Sequence, residues 1–415
     1  MAALPSNLRR ELERTIIQAR EIAEQGSREA LEALTVHEGK RGSHVTSEAD
    51  IALRNHLRAH ARQIGDRRNS QSGTQAIDRL VQECAYEHWH RMIFARFLAE
   101  NSLLVEPESQ VAVSLEDVEE LAREEGIDRW ELAGRYAQQS LPAIFRQDDP
   151  LLQVQLPRET RLQLDAVLDA LPSETFLADD SLGWVYQFWQ SAEKERVNQS
   201  GDKITGETLS AVTQLFTEHY MVLFLLHNTI GAWHAGKVLA ERPALAESAK
   251  SENELRDVLR LSEAGGYDFE YLRFVRTNTP SPSQGEGRGE GNSDDDGDAE
   301  PTGPWRPMGG SFDGWPKQAA ELKVLDPCCG SGHFLVAAFE LLVRLRMHEE
   351  GLSVERAVDA VIQDNLFGLE LDPRCTQIAT FNVALEAWKQ GGFRELPAPQ
   401  IACSGVPVRA ARREW

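Results

Sequence analysis

The stretch KVLDPCCGSGHFLVAAFELLV, from Lys323 to Val343, constrains the fold of this chain more than any other. A short apolar run, Val324 and Leu325, ends in Asp326 and Pro327. Glycines follow at positions 330 and 332, and from Phe334 the apolar residues take helical spacing through Leu335, Ala338, Leu341 and Leu342. Strand, tight glycine turn and helix is the reading. Glycines at such a turn let a ligand lie on the backbone N–H groups at the positive end of the following helix. Asp326, at the strand end, offers an acceptor to an ammonium or hydroxyl. The alternative is an ordinary ligand-free turn of an α/β layer, since two glycines alone do not identify a nucleotide site.

Length leaves room for more than this one element: 415 residues can form two or three domains, each with its own core. The N-terminal MAALPSNLRRELERTII is already amphipathic and charged, so no leader peptide is expected. The longest apolar runs, FLVAAFELLV and MVLFLL, fall far short of the roughly 20 residues a membrane span needs. A cytoplasmic protein with no membrane partner is the expectation. Cys84, Cys328, Cys329, Cys375 and Cys403 form no CxxC pair and no metal-spaced cluster with histidine, so neither zinc nor disulfides are expected.

The net charge of -22 counts against a nucleic-acid partner unless Lys and Arg are locally concentrated. Residues 1–100 carry 15 Lys and Arg against 14 Asp and Glu, leaving 29 against 52 for the rest, so the acidity belongs to the later chain.

Residues 1–200 read as a helical N-terminal domain. Leu8, Leu12, Ile16, Ala19 and Ile22 recur at helical spacing, as do Ile77, Leu80, Val81, Cys84 and Ala85. Tyr86 to Leu104 is apolar on all sides and is expected to be a central helix. RRNSQSG and EPES read as loops, and Ser114, with Glu116 and Asp117, as a helix start. Residues 201–276 include an amphipathic helix beginning near Glu218. Thr277 to Gly303 is almost free of apolar residues, with seven acids and one Arg, and is expected to be a disordered acidic insertion.

Residues 304–415 carry the glycine turn and two further strands. NLFGLELDP reads as a strand ending in Glu370 and Asp372. A nucleotide site places an acid at the tip of the neighbouring strand to take both ribose hydroxyls. Glu349 and Glu350 lie at the usual distance from the glycines, but no strand precedes them, so Glu370 is the better candidate. Asp372 is placed to cap the next helix. Gln400 to Ser404 reads as a third strand.

Several motifs together resemble S-adenosyl-L-methionine (SAM)-dependent DNA adenine-N6 methyltransferases. DPCCGSGHFL is similar to their motif I, DPACGSGxFL, with Cys328 replacing alanine. That resemblance implies cofactor contacts at Asp326, Pro327, Cys328, Gly330, Ser331, Gly332, His333 and Phe334. GLELDP resembles motif II, GIEIDP, which implies Glu370 on the ribose and Leu371 against the adenine ring. The family's motif III ends the third strand with an acid on the adenine amino group; here Cys403 and Ser404 stand in its place.

TQLFTEHYMVLFLLHNTIG resembles motif X, TQxFTPxxIVxxLVxNTLG, implying cofactor-lining roles for Thr213, Phe216 and Thr217, with Glu218 where proline is usual. AYEHWHRMIFARFLAEN and SLGWVYQFWQ are similar to the FNRLVALRFME and GWLYQFY segments of large BREX phage-defence (PglX-like) and type IIG restriction-modification methyltransferases.

The resemblance implies an α/β fold with a helical N-terminal domain followed by a truncated Rossmann-like SAM-dependent methyltransferase sheet. It also implies double-stranded DNA as substrate of the complete enzyme, and other phage-defence or restriction subunits as partners. The family's catalytic [ND]PP[YF] string does not occur in the sequence. No catalytic residue is therefore assigned, and the chain is expected to be an N-terminal portion of a longer methyltransferase, inactive alone. The alternative within the family is a catalytically inactive SAM-binding or scaffolding subunit. A nicotinamide-dependent oxidoreductase is the third reading, against which stand the DPxCGSG strand end and the long step from Asp326 to Glu370.

Overall fold

The computed structural model describes residues 4–142, 144–201, 217–277, 302–310 and 312–404. Thr213 and Phe216, and the insertion from 278 to 301, lie outside the described residues.

The first core is helical. Helix α1 (Ser6–Ala33) buries Leu12, Ile16, Ala19, Ala23, Ala30 and Leu31, one face at helical spacing. It packs on α3 (Asp78–Glu100), which is buried on every side from Leu80 to Leu98, as a central helix must be. The helical spacing read from Ile77 to Ala85 and the central segment from Tyr86 form one helix, started where Asp66 accepts from the Arg79 and Leu80 N–H groups. Between them lies α2 (Glu48–Gln63), capped by Ser47.

The next helices are α4 (Leu115–Glu125), α5 (Arg129–Ser140), α6 (Arg158–Asp169), α7 (Glu174–Leu177) and α8 (Ser181–Ser200). Ser114 starts α4 as expected, with Asp117 completing a reciprocal capping box.

Helix α9 (His219–Leu226) opens after Glu218, runs through a π turn at His227–Gly231 and continues as α10 (Ala232–Glu241). Two short helices follow, α11 (Pro243–Ser248) and α12 (Glu252–Leu259). Strands β1 (Phe274–Arg276) and β2 (Trp305–Pro307) then pair antiparallel.

The α/β layer has three parallel strands in the order β3 (Val324–Asp326), β4 (Leu366–Glu370), β5 (Gln400–Cys403). Helices α13 (His333–Glu350) and α14 (Val354–Asp364) connect β3 to β4, and α15 (Pro373–Gly391) connects β4 to β5. The strand, turn, helix order read from the glycine stretch is what the chain forms, and the longer excursion before Glu370 is this pair of helices. No described helix is long and apolar enough to cross a membrane.

Helix α15 belongs to two cores. Ala379, Val383 and Ala387 pack with α13 and the strands, while Cys375, Ile378, Phe381, Ala384, Leu385 and Trp388 pack into the N-terminal helices. Phe381 stacks on Phe94 of α3 with ring centroids 4.2 Å apart. The N-terminal helices are thereby fixed against the connection that leaves the Glu370 strand.

Candidate cofactor site

The turn after β3 is built by backbone hydrogen bonds. The Cys328 N–H donates to Asp326 Oδ1 at 3.1 Å, the Cys329 N–H to Leu369 O, and the Gly332 N–H to Cys329 O at 2.7 Å. Asn382 of α15 braces the Ser331 carbonyl. The two glycines have different reasons to be there. A Cβ at Gly330, where φ is +52°, meets nothing within 4 Å, so this is where the backbone stands open. A Cβ on Gly332, at φ +81°, would lie 2.9 Å from the Ala379 Cα. That glycine serves close helix packing, a correction to reading both as ligand access. Gly332 is the N-cap of α13 and has no side chain to cap it, so the first-turn N–H groups of an 18-residue helix open toward the turn.

Glu370 clips this turn to the neighbouring strand. Its Oε2 accepts from the Gly330 N–H at 2.8 Å, and its Oε1 from the N–H groups of Leu371 and Asp372 at 2.7 and 3.2 Å. The expected meeting of glycine turn and strand-tip acid is therefore present, with the acid already bonded to the turn.

These groups open onto a cavity of about 1120 Å³. Pro327, Cys328, Gly330, Ser331, His333 and Phe334 line one side, together with Glu370, Leu371 and Thr217. Gly332 is absent from the lining, consistent with its packing role. Asp326 lines a second, apolar cavity of about 440 Å³ between β3 and α9, which meets the first at Pro327 and Phe334. Burial raises the Asp326 carboxyl above its usual range and Glu370 adds to this, while the Cys328 N–H works the other way. The two acids thus feel each other but face different cavities. Cys403 and Ser404 stay beside Glu370 and Leu371, the Ser404 N–H donating to Glu370 O at 2.8 Å, yet neither lines the cavity. His333 is buried, which pushes its imidazole down to about 4, so it is neutral at pH 7.

The opposite wall comes from the N-terminal helices, and sequence reasoning assigned none of it. Leu57, His60 and Ile64 on or just after α2, Glu83, Tyr86 and Glu87 on α3, Arg146 and Asp149, and Gly183, Tyr186 and Gln187 on α8 all line the same cavity. This wall is tied to the Glu370 turn. Tyr186 Oη donates to Asp372 Oδ2 at 2.6 Å, Gln190 Nε2 donates to Tyr186 Oη at 2.8 Å, and the Arg374 guanidinium sits 5.3 Å from the Tyr86 ring. Asp372 caps α15 as expected, its Oδ1 accepting from the Arg374 N–H at 2.9 Å, and holds the two walls together besides.

Burial keeps both tyrosines phenolic, their pKa values well above 10. It also lifts the Glu87 carboxyl to about 7, Asp149 adding to the effect. His60 is held above its usual value by its 2.6 Å hydrogen bond with Glu83. In the sequence, the traces of this wall are the AYEHWHRMIFARFLAEN segment, which contains Tyr86 and Glu87, and the SLGWVYQFWQ segment, which contains Tyr186 and Gln190.

Residues 312–392 match the family model for the MmeI DNA-methyltransferase domain. The adenine-specific methyltransferase BrxX of Escherichia coli O9:H4 is 24% identical over 346 residues, covering 75% of this chain and 25% of that protein. The adenine-specific methyltransferase PglX of Lacticaseibacillus casei is 23% identical over 388 residues, covering 84% and 28%. PglX of Streptomyces coelicolor is 40% identical over 77 residues, 18% of this chain and 6% of that protein. The chain spans about a quarter of the length of the first two relatives. The chain is thus similar to a DNA-methyltransferase domain over residues 312–392 and, over most of its length, to the proteins named adenine-specific methyltransferases BrxX and PglX.

Proposed function

We propose that this chain holds S-adenosyl-L-methionine between the glycine turn and the N-terminal helices, and that it serves adenine-N6 methylation of double-stranded DNA. The observation that carries the reading is the convergence, on one cavity, of the open backbone at Gly330, the uncapped start of α13 and the Glu370 carboxylate.

The residues fit such a ligand. A carboxylate at the end of an amino-acid chain suits the N–H groups of a helix start that no side chain caps. Ribose hydroxyls are donors that Glu370 can accept, its Gly330 bond being the one exchanged. Leu371, 42% exposed, offers an apolar face to a purine. The cavity exceeds the roughly 300–1,000 Å³ of ordinary small-ligand pockets, leaving space beyond a nucleoside on the helical side. The bound group supplies an electrophilic methyl on sulfur; the chain's part is to bind, orient and shield it. His333 contributes a neutral wall that does not repel a sulfonium. Positioning of this kind accounts for a large share of group-transfer catalysis.

Isothermal titration with SAM tests the reading. Wild-type chain is expected to bind one equivalent. Glu370→Gln, which keeps one acceptor oxygen and loses the charge, is expected to weaken binding about 10- to 100-fold, the worth of one or two hydrogen bonds to a charged group. Absence of heat with the folded wild type, or equal affinity in Glu370→Gln, overturns it.

A further inference from the structure

We propose that the two loops flanking α2 form a built platform for the phosphate backbone of duplex DNA, at the rim of the cavity. The proposal rests on the DNA role proposed above and names the surface that would carry it.

Residues 35–76 hold seven Lys and Arg against four Asp and Glu, in a chain whose net charge is -22. Three of the four acids are engaged at helix starts: Glu48 and Asp50 lie in the first turn of α2, and Asp66 accepts from the first N–H groups of α3. Of the cations, Arg62 is placed likewise in the last turn of α2, but Lys40, Arg41, Arg67 and Arg68 sit in the flanking loops. Lys40, Arg41, Arg62, Arg67 and Arg68 are exposed, and among the described residues none of them forms an ion pair with a carboxylate.

The support beneath them is rigid and itself cationic. Arg54 donates to Thr35 O and, at 2.8 Å, to Glu38 O; Arg58 donates to Val36 O, Glu38 O and, at 2.7 Å, to Gly73 O. The buried Arg58 guanidinium thus fastens the 35–45 loop to the 66–76 loop, and the buried Arg54 guanidinium ties the first loop to α2. The loops also touch directly: the Gln75 N–H donates to His37 O at 2.8 Å, and a Cβ on Gly39 would fall 2.1 Å from Ser72 O, so only glycine fits there. The second loop closes as a hairpin whose turn is held by Asn69 Oδ1, accepting from Gln71 and Ser72. Burial lowers the pKa of Arg58, and Arg54, Arg68 and Arg62 lower it further, which places these like charges in one field.

Such a preformed cluster suits a partner with regularly spaced, fully ionised oxygens, and phosphodiester backbones supply that. Arg54, Arg58 and Arg62 recur every fourth residue along α2, while Leu57, His60 and Ile64 line the cavity from the adjoining face of the same helix. The platform and part of the cavity wall are therefore carried by one helix about 24 Å long.

The experiment is fluorescence anisotropy of the full chain with a labelled duplex across a salt series. It is run on wild type, on the variant Lys40→Gln/Arg41→Gln/Arg67→Gln/Arg68→Gln, and on a control carrying Lys250→Gln, Arg306→Gln, Lys317→Gln and Arg356→Gln, exposed cations elsewhere. Removing one cation from a phosphate lowers the slope of log affinity against log salt by about 0.9, so the platform variant is expected to lose about 3 to 4 units of slope and at least about tenfold in affinity. The control is expected to match wild type.

No salt-dependent binding by wild type, an unchanged slope in the platform variant, or an equal loss in the control overturns the proposal. So does equal competition by polyglutamate, which offers carboxylates without phosphates. SAM titration of the same variant separates the two readings: failure of SAM binding in every form sinks the cofactor site and leaves the platform standing. Retained SAM binding with no DNA binding sinks the platform alone.

Discussion

The two walls of the cavity are made by opposite means. On the sheet side, the site is local: the turn from Asp326 to His333 and the strand tip at Glu370 are joined by backbone N–H groups and one carboxylate, within a parallel strand pair. On the helical side it is assembled from α2, α3, α8 and the Arg146–Leu151 loop, held by the packing of α15 and by a buried bond, Tyr186 to Asp372, between residues 186 apart in sequence. The first wall is backbone chemistry written in glycines; the second is side-chain packing that exists only once the helices are in place. The difference predicts where each wall breaks.

Acid breaks the two together, and by the most. His88 and His90 on α3 are held down to about 3 by burial, and His227, His234 and His333 to about 4. Below about pH 6.5 the unfolded chain takes up protons at these five sites that the folded chain refuses, so stability falls as pH drops toward about 4. Glu87 and Glu386, both raised to about 7, act in the opposite sense: the folded chain keeps their protons above pH 4.5 where the unfolded chain has released them. Five outnumber two. Unfolding free energies from urea titrations are expected to fall from pH 7 to 5, by about 1.4 kcal/mol per pH unit for each net proton taken up.

Next in size is a break confined to the sheet wall. Gly332→Val forces a β-branched side chain into left-handed backbone and against the Ala379 Cα, and is expected to cost about 3 kcal/mol or more. Gly330→Ala meets no neighbour and should cost only the left-handed penalty, about 1–2 kcal/mol, while crowding the open turn. Denaturation and SAM titration on both separate the packing glycine from the access glycine: stability is lost in the first, affinity in the second.

The smallest effects sharpen the helical wall. Tyr186→Phe strips a buried Asp372 oxygen of its donor and is expected to cost about 1–3 kcal/mol and to weaken SAM binding by loosening the turn that carries Glu370. Tyr86→Phe, in the same wall, removes a buried hydroxyl with no hydrogen-bond partner among the described residues, so stability should change by less than about 0.5 kcal/mol. Thermal melts of the pair give the ranking.

What could be read from sequence divides along the same line. The glycine spacing, the apolar run before it and the strand-tip acid are near-neighbour signals, and β3, α13, β4 and the Asp372 cap form where those signals place them. Long-range roles leave no such signal. Asp372 is legible as a helix cap because that bond spans two residues, and illegible as the acceptor for Tyr186 because that one spans the molecule. Gly332 looks like its neighbour Gly330 until the packing of α15 gives it a different reason. Asp326, placed in the cradle by its position in the motif, lines the adjoining groove instead. The even balance of charge in residues 1–100 conceals the platform, because three of its four acids are engaged at helix starts while Lys40, Arg41, Arg67 and Arg68 stay exposed in the loops.

The central claim is that one ligand touches both walls. Hydrogen exchange with and without SAM tests it directly. Added protection in the 327–335 turn together with α3 around Glu83–Glu87 and α8 around Gly183–Gln187 is the predicted result, and protection of the turn with no change in either helix would contradict it.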